Sequence, residues 1–298
     1  MYRVFGEVEL DAYDGLDGPL NRAGLVNAQL IGVRTAQHAS VGLLTLTKLE
    51  KFIMGIIVIA GVSGTIGTSL ARRLVGAGRD VLLLGRTAEK LAPLASELNQ
   101  PYAVVDYFDA EKLEQTISAA AEPAGGVEGI VNSTGSILLK PLHATSLDEF
   151  RAVLDANLVT SFQMLKVGSR LLAKPGGSIV LFSSAAAEIG MPNHEAIAAA
   201  KAGVIGLARA AAASLAGRNI RVNVISPGLV RTELTRRIWE APASEAAACE
   251  MHALGRIGEP EQIASLVEWL LAAENDWITG QTIGVDGGLS RVLPRRRQ

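Results

Sequence analysis

One lysine stands on the apolar side of an alanine-rich segment, NHEAIAAAKAGVIGLARAAAASLAG, that begins at Asn193. Burying an ammonium group without a partner is costly, so we expect Lys201 to bind a ligand or a partner group that offsets this cost. Ile197 precedes Lys201 by one helical turn and His194 precedes Ile197 by nearly another, so a helix would place all three on one face. An imidazole titrates near neutral pH and can act as an acid or a base. The alternative for His194 is a loop histidine bonded to backbone or water.

A second chemical feature is a set of glycines at 61, 64 and 67 in AGVSGTIGTSLARRL, where an apolar strand pattern changes to a helical one. Gly61 would permit a tight turn, and Gly67 would let the helix pack against the sheet. A small residue between them would let the backbone approach a pyrophosphate, for which the helix N-terminus supplies amide donors and a favourable dipole. This context predicts a dinucleotide-binding loop, and the alternative is merely a tight strand-to-helix turn.

The residue after the second strand pattern indicates which dinucleotide is bound. An NAD site usually has an acidic residue about 20 positions beyond the glycines, where it binds the ribose 2′-hydroxyl. Here the strand ends at Gly85 and Arg86 follows. A guanidinium suits a 2′-phosphate, so NADP(H) is favoured over NAD(H). The alternative for Arg86 is an ordinary surface arginine.

The elements that must position these residues follow a regular alternation from Gly55 onward. Apolar runs predict strands at 56–60, 81–85, 102–105, 129–132, 178–182, 221–225 and 282–285. Helical periodicity lies between them, for example at 68–75, 88–98, 147–172 and 261–271. Near-continuous apolar strands that alternate with helices predict a doubly wound α/β fold, a Rossmann-type parallel sheet of about seven strands with helices on both faces.

Composition narrows the function classes. The 298 residues are 49% hydrophobic with a net charge of −2, which predicts a large core and gives no sign of a nucleic-acid surface. A single cysteine, Cys249, excludes an internal disulfide and favours a reducing, cytoplasmic location. No cluster around it predicts a metal site. The most apolar window, 52–61, is too short to span a bilayer, so no membrane association is expected.

Residues 1–53 do not join the alternating pattern. They contain scattered glycines, a DGLDGP turn cluster and no clear period. We interpret them as an N-terminal extension, either an appendage or the product of a misassigned start codon, and residues 54–298 as a single Rossmann-type domain. The alternative is a helix or hairpin docked on the sheet edge.

Several motifs in order, from residue 54 to residue 289, resemble the short-chain dehydrogenase/reductase superfamily in its single-domain form. The motifs are AGVSGTIG, the element NSTG, DANL, LFSS, SPGLVRT, GRIGEPEQIA and ITGQTIGVDGG. With the glycine loop and Arg86, the resemblance implies a cofactor site made of Gly61, Ser63, Gly64, Thr65, Ile66, Gly67, Arg86, Asp106, Asn132, Gly135, Lys201, Pro227, Gly228, Val230 and Thr232. Thr65 departs from the pattern, because single-domain members have glycine there.

The resemblance also implies catalytic roles for Asn157, Ser184 and Lys201. In the family mechanism the serine steadies the substrate oxygen, the lysine holds the nicotinamide ribose, and the asparagine positions a water. A tyrosine that transfers the proton lies four residues before the lysine and thirteen after the serine. Both counts lead to Ile197 in this chain. General acid catalysis contributes about 10²–10⁴-fold, so His194 or water must replace the tyrosine if the chain is active.

Two functions follow from these motifs. The first is an NADP(H)-dependent oxidoreductase that transfers hydride between the nicotinamide and a small alcohol or carbonyl substrate. The second is a catalytically silent NADP(H)-binding protein with a regulatory or partner-subunit role. The resemblance further implies a homodimer or homotetramer formed through the helices near 147–172 and 196–217. It also implies a substrate lid at 233–254.

Overall fold

A computed structural model describes residues 55–172 and 176–293 of the chain. The strands are β1 Ile56–Ala60, β2 Val81–Gly85, β3 Tyr102–Val104, β4 Val127–Asn132, β5 Gly177–Phe182, β6 Ile220–Pro227 and β7 Thr282–Val285. The helices are α1 Thr65–Gly76, α2 Ala88–Leu98, α3 Ala110–Ala121, α4 Leu147–Leu154, α5 Thr160–Leu171, α6 Glu195–Leu215, α7 Arg236–Trp239, α8 Pro242–Met251 and α9 Pro260–Leu271. The predicted N-terminal extension lies outside the described residues.

The strands form a seven-stranded parallel sheet in the order β3-β2-β1-β4-β5-β6-β7. The chain winds outward from β1 to one edge, returns, and winds to the other edge from β4. The predicted doubly wound fold is confirmed. In such sheets the reversal of winding, here between β1 and β4, opens a crevice at the carboxyl ends of the strands where ligands bind.

Both faces of the sheet are buried, because successive strand residues point to opposite sides. On β1, Ile56 and Val58 belong to one core cluster, and Ile57 and Ile59 belong to the other. Helices α3, α5 and α6 cover the first face, and α1, α2 and α9 cover the second. This double burial explains why the strands read as continuous apolar runs in the sequence.

The segment that the sequence predicts as one helix from 147 to 172 is interrupted. Helix α4 begins at a capping box, in which Ser146 and Glu149 bond each other's backbone N–H groups. A π-helical turn, Asp155–Val159, then inserts one extra residue before α5 begins. Turns of this kind are rare in proteins and occur often at functional sites.

Helix α6 is the longest helix in the described part of the chain. With the turn that follows it, Glu195–Arg218, it is also the one described helix that is long and apolar enough to cross a membrane. Its inner face instead packs in the core, where Val204 and Ala208 join Val222 and Val224 of β6. Its apolar character is therefore explained by burial against the sheet.

Candidate active site

The predicted phosphate-binding loop leaves β1 in a turn that requires glycine. Gly61 has a φ of +78°, and a Cβ atom there would lie 2.7 Å from the backbone nitrogen of Thr134. A Cβ atom on Gly67 would lie 2.7 Å from the Gly61 oxygen, so only glycine lets α1 begin this close to β1. Gly64 is exposed, and a Cβ atom there would meet only the Gly61 oxygen, at 3.4 Å. The loop thus leaves open space at the N-terminus of α1, as a pyrophosphate requires.

The other predicted loop residues fall into two groups. Ser63 is exposed, and the Thr65 hydroxyl accepts a hydrogen bond of 3.2 Å from the Glu233 N–H at the start of the predicted lid. Ile66 is half-buried and packs against the core beneath α1. The two hydroxyl groups therefore lie where a ligand can reach them, whereas Ile66 fixes the helix on the sheet.

Replacing Gly61 by alanine is expected to damage both the fold and the loop. The positive φ and the contact with the Thr134 nitrogen should cost about 1–3 kcal/mol of unfolding free energy. Dinucleotide affinity should fall by about tenfold or more, because the turn that aims the backbone at the phosphates must open. Thermal denaturation and ligand titration measure the two effects. Gly76→Ala is the matched control, since a Cβ atom at Gly76 meets nothing within 4 Å; an equal loss in that variant would contradict the explanation.

Arg86 follows β2, and Asp106 and Tyr107 follow β3, the two strands next to β1 on one side of the sheet. Arg86 is exposed directly after β2, and Asp106 is exposed with its Oδ1 accepting the Phe108 N–H at 2.9 Å. Tyr107 is buried, and its hydroxyl accepts the Gly61 N–H at 3.0 Å. Burial raises the pKa of Tyr107 to about 12, although the Gly61 N–H and the Arg86 charge act in the opposite direction. Sequence reasoning missed Tyr107, whose partner lies 46 residues away.

Asn132 organises the turn after β4 from inside the protein. It is 1% exposed, and its Nδ2 donates to the Ser161 hydroxyl at 3.1 Å. Its Oδ1 accepts the Thr134 hydroxyl at 2.7 Å and the Thr134 N–H at 3.2 Å. All these bonds are internal, so the side chain of Asn132 shapes the path of the backbone toward Gly135.

Three predicted residues from three separate elements meet at the end of this turn. Asn157, in the π-helical turn, is fully buried and donates to the Val153 and Ser136 carbonyl oxygens at 2.9 and 3.2 Å. A Cβ atom on Gly135 would lie 2.7 Å from Asn157 Oδ1 and 3.6 Å from Lys201 Nζ. Gly135 therefore lies between the amide and the ammonium group, and a larger residue there would displace the Asn157 amide.

Lys201 is the buried cation of this cluster. It is 8% exposed, and its Nζ donates to the Phe182 carbonyl oxygen at the end of β5, at 3.0 Å. No carboxylate of the described residues pairs with it within salt-bridge distance. Burial lowers the pKa of Lys201 to about 8. Because an ammonium group has three donors, two remain for a ligand such as a ribose diol.

Ser184 and His194 are not joined to this cluster by hydrogen bonds among the described residues. Ser184 is half-buried just beyond β5, and its hydroxyl accepts the Ala186 N–H at 3.2 Å. His194 Nδ1 lies 2.7 Å from the Pro192 carbonyl oxygen, which can only accept a hydrogen bond. Nδ1 therefore carries the proton, and Nε2 is left as an acceptor for a hydrogen bond or a second proton. The predicted shared helical face applies only to Ile197 and Lys201, because α6 begins at Glu195 and His194 is its N-cap.

Ile197, where the sequence predicts that a proton donor is missing, is a buried hydrocarbon side chain. It is 4% exposed and belongs to a small apolar cluster with Val153, Ala196 and Ala200. Three half-buried residues pack around this cluster: Leu138, Phe150 and Leu154. Ile197 is therefore a well-packed residue, and it contributes no proton donor to the site.

The predicted nicotinamide segment continues from the end of β6. The Gly228 N–H donates to the Val285 oxygen at 3.1 Å. Val230 is 3% exposed, and Thr232 is 8% exposed with its hydroxyl 2.9 Å from that of Thr235. The Leu229 N–H donates to His252 Nε2 at 3.2 Å. Sequence reasoning missed His252, because this contact joins residues 23 positions apart and depends on how the predicted lid folds.

Comparisons with known proteins agree with this architecture. A family model described as enoyl-(acyl carrier protein) reductase matches residues 61–290. The chain is 32% identical over 236 residues to D-threitol dehydrogenase of Mycolicibacterium smegmatis, covering 77% of this chain and 90% of that protein. It is 32% identical over 238 residues to a 3-oxoacyl-(acyl-carrier-protein) reductase, FabG, of Thermotoga maritima, covering 78% and 96%.

Solved structures give the same result. A short-chain type dehydrogenase/reductase from Mycobacterium ulcerans superposes with a TM-score of 0.74 at 31% identity, covering 79% of this chain and 89% of that one. ElxO with NADP bound also superposes with a TM-score of 0.74, at 24% identity, covering 79% and 98%. The second likeness shows the fold alone.

Proposed function

Because this chain belongs to the short-chain dehydrogenase/reductase superfamily, we propose that it is an NADP(H)-dependent oxidoreductase acting on an alcohol or carbonyl substrate. The observation that carries the proposal is the meeting of Asn157 and Lys201 at Gly135, with two ammonium donors free for a ligand. The bound nicotinamide would supply or accept the hydride. The glycine loop at 61–67 would hold its pyrophosphate, and Lys201 would hold its ribose.

The choice of NADP(H) rests on Arg86. It follows β2 directly and is exposed, and Gly85 stands where an acidic side chain would otherwise bind a ribose hydroxyl. A guanidinium can form paired, charge-assisted hydrogen bonds with a phosphate. NAD(H) is the less favoured cofactor.

The remaining residues have roles toward the substrate. Ser184, at the carboxyl end of β5, would donate its hydroxyl to the substrate oxygen, and Asn157 would position a water beside Lys201. The proton that a tyrosine would transfer would come from water or from His194 after its Nε2 has taken up a proton, because the Ile197 side chain carries no acidic proton. The homo-oligomer is proposed through α5 and α6, because Phe162 is 50% exposed and the small residues Ala202, Gly206 and Ala210 lie exposed on α6. The cytoplasmic location stays a prediction from the sequence.

One observation favours the second function, a silent NADP(H)-binding protein. Ile197 is packed as a core residue, with 4% exposure, rather than left as a gap at the substrate site. A protein that keeps its cofactor site but has an isoleucine at the proton-transfer position would bind NADP(H) without reducing a substrate. The two functions differ in one measurable quantity, the rate of NADPH oxidation with a carbonyl panel at saturating cofactor.

The cofactor assignment is tested by titrating NADPH and NADH while following their fluorescence. Wild type is expected to prefer NADPH. Arg86→Gln should weaken NADPH binding by about 10–100-fold, because a charged hydrogen bond contributes about 1.5–3 kcal/mol, and should leave NADH binding unchanged. Lys90→Gln is the control, since it removes an equal charge from an exposed site on α2. Tighter binding of NADH than of NADPH by the wild type would overturn the assignment.

A further inference from the structure

His252 is a buried histidine with a defined tautomer. It is 3% exposed and follows the last residue of the lid helix α8. Its Nε2 accepts the Leu229 N–H at 3.2 Å, and its Nδ1 lies 2.7 Å from the Ala248 carbonyl oxygen. A backbone N–H can only donate and a carbonyl can only accept, so the ring is neutral with its proton on Nδ1.

The ring joins two segments that the proposed function uses. On one side it caps the end of α8 by satisfying the Ala248 carbonyl, which has no partner within the helix. On the other it holds the nicotinamide segment, because a Cβ atom on Gly228 would lie only 2.8 Å from Nε2. The ring therefore packs directly on Gly228, and a displaced ring would displace that backbone.

We propose that His252 is a positioning residue whose neutral ring ties residues 227–230 to the lid helix and so maintains the cofactor-binding conformation. The inference rests on the proposed function, since the segment it positions is the one assigned to the nicotinamide. A side chain without an acceptor at this position would lose the bond from the Leu229 N–H, and the segment would separate from the lid helix.

The Asp286 carboxylate belongs to the residue that packs on Gly228 together with the ring, because a Cβ atom on Gly228 would also lie 3.0 Å from the Asp286 Cβ. Burial would raise the pKa of Asp286, but hydrogen bonds from Ser290 and Gly288 lower it, so Asp286 stays ionised. On the lid helix, Glu245 is paired with Arg231.

The ring also packs beside the loop after β7. A Cβ atom added to Gly287 would lie 3.5 Å from Cδ2 of His252, so the ring leaves little room for a larger residue at that position.

The test compares NADPH affinity at one pH in wild type and three variants. His252→Gln keeps a donor and an acceptor, so it should bind like wild type. His252→Phe keeps a ring without either group, so it should bind about tenfold more weakly. His143→Gln, at an exposed histidine, is the control and should bind like wild type.

Hydrogen exchange of the peptide spanning 227–232, measured without cofactor, separates the two levels of the inference. Faster exchange in His252→Phe than in wild type at pH 8 supports the tie even if no dinucleotide binds, in which case only the proposed function fails. Equal exchange in the two proteins would overturn the inference. If wild type binds NADPH, equally tight binding by His252→Phe would overturn it as well.

Discussion

Ile197→Tyr is expected to raise the rate of NADPH-dependent carbonyl reduction by about 10²–10⁴-fold, the usual contribution of a general acid. Residue 197 precedes Lys201 by one turn of α6, so the new hydroxyl would lie on the same helical face as the buried ammonium. A positive charge nearby favours the phenolate and would bring the tyrosine pKa closer to neutrality. The change should cost about 1–3 kcal/mol of unfolding free energy, because the ring overfills the cluster around Val153 and Ala200.

The controls for this variant separate proton transfer from packing. Ile197→Phe adds the same ring without a hydroxyl, so it should share the loss of stability and show no gain in rate. His194→Ala in the wild-type background should slow turnover only if His194 supplies the proton. Activity that appears solely in Ile197→Tyr, with wild type binding NADPH but not turning over, would replace the enzyme proposal by the silent binding protein. No gain despite intact binding would mean that residue 197 does not face the substrate.

Lys201→Met is expected to stabilise the free protein and to weaken its dinucleotide binding. Burial lowers the pKa of Lys201 from the ordinary value of 10.5 to about 8. Keeping the buried ammonium charged at neutral pH therefore costs at most about 3 kcal/mol of unfolding free energy. The bond to the Phe182 carbonyl recovers part of this cost. The methionine removes the charge with similar bulk, while NADPH affinity should fall by about tenfold or more through loss of the charge-assisted bonds to the ribose.

The pH dependence of this difference has a defined sign. Below about pH 8 the lysine is charged in the folded and unfolded protein, so the methionine variant keeps its full advantage. Between about pH 8 and 10.5 the unfolded chain retains a proton that the folded protein has released, so wild type gains stability as the pH rises. Above that range the advantage disappears. Wild-type NADPH affinity should likewise decline as the pH rises through about 8.

Denaturant unfolding at several pH values measures the first effect, and fluorescence titration measures the second. Lys166→Met, at an exposed lysine on α5, is the control and should alter neither. An advantage of Lys201→Met that persisted unchanged to pH 10.5 would contradict the assigned pKa. Unchanged NADPH affinity would remove Lys201 from the proposed cofactor site.

The order of strands and helices could be predicted because double burial makes each strand a continuous apolar run. Strands β1, β2 and β7 have the predicted bounds. Strand β6 extends two residues further, to Pro227, because it pairs with β7 along its last residues, and those pairs depend on a partner distant in sequence. Helical periodicity alone could not show the break at Asp155–Val159, because both flanking helices keep an apolar face.

The local geometry of the candidate site could be predicted where it depends on a single motif. Gly61 and Gly67 are fixed by local turn geometry, and the spacing of Ile197 and Lys201 is fixed by the helix. Tyr107 and His252 could not be found this way, since each acts on backbone 46 and 23 residues away respectively. Both residues contact the site only in the folded protein, and no short sequence pattern indicates such a contact.

The π-helical turn at Asp155–Val159 also has a consequence for how the helical segment tolerates insertion and deletion. Each residue of a helix turns the chain by about 100°, so one extra residue rotates α5 relative to α4 by that angle. Deleting any one residue here would restore a regular helix and leave α4 and α5 unable to face their present neighbours at once. The same turn therefore buries Asn157 and sets how α4 and α5 pack on their neighbours. Unlike a surface loop, this stretch should tolerate no change in length.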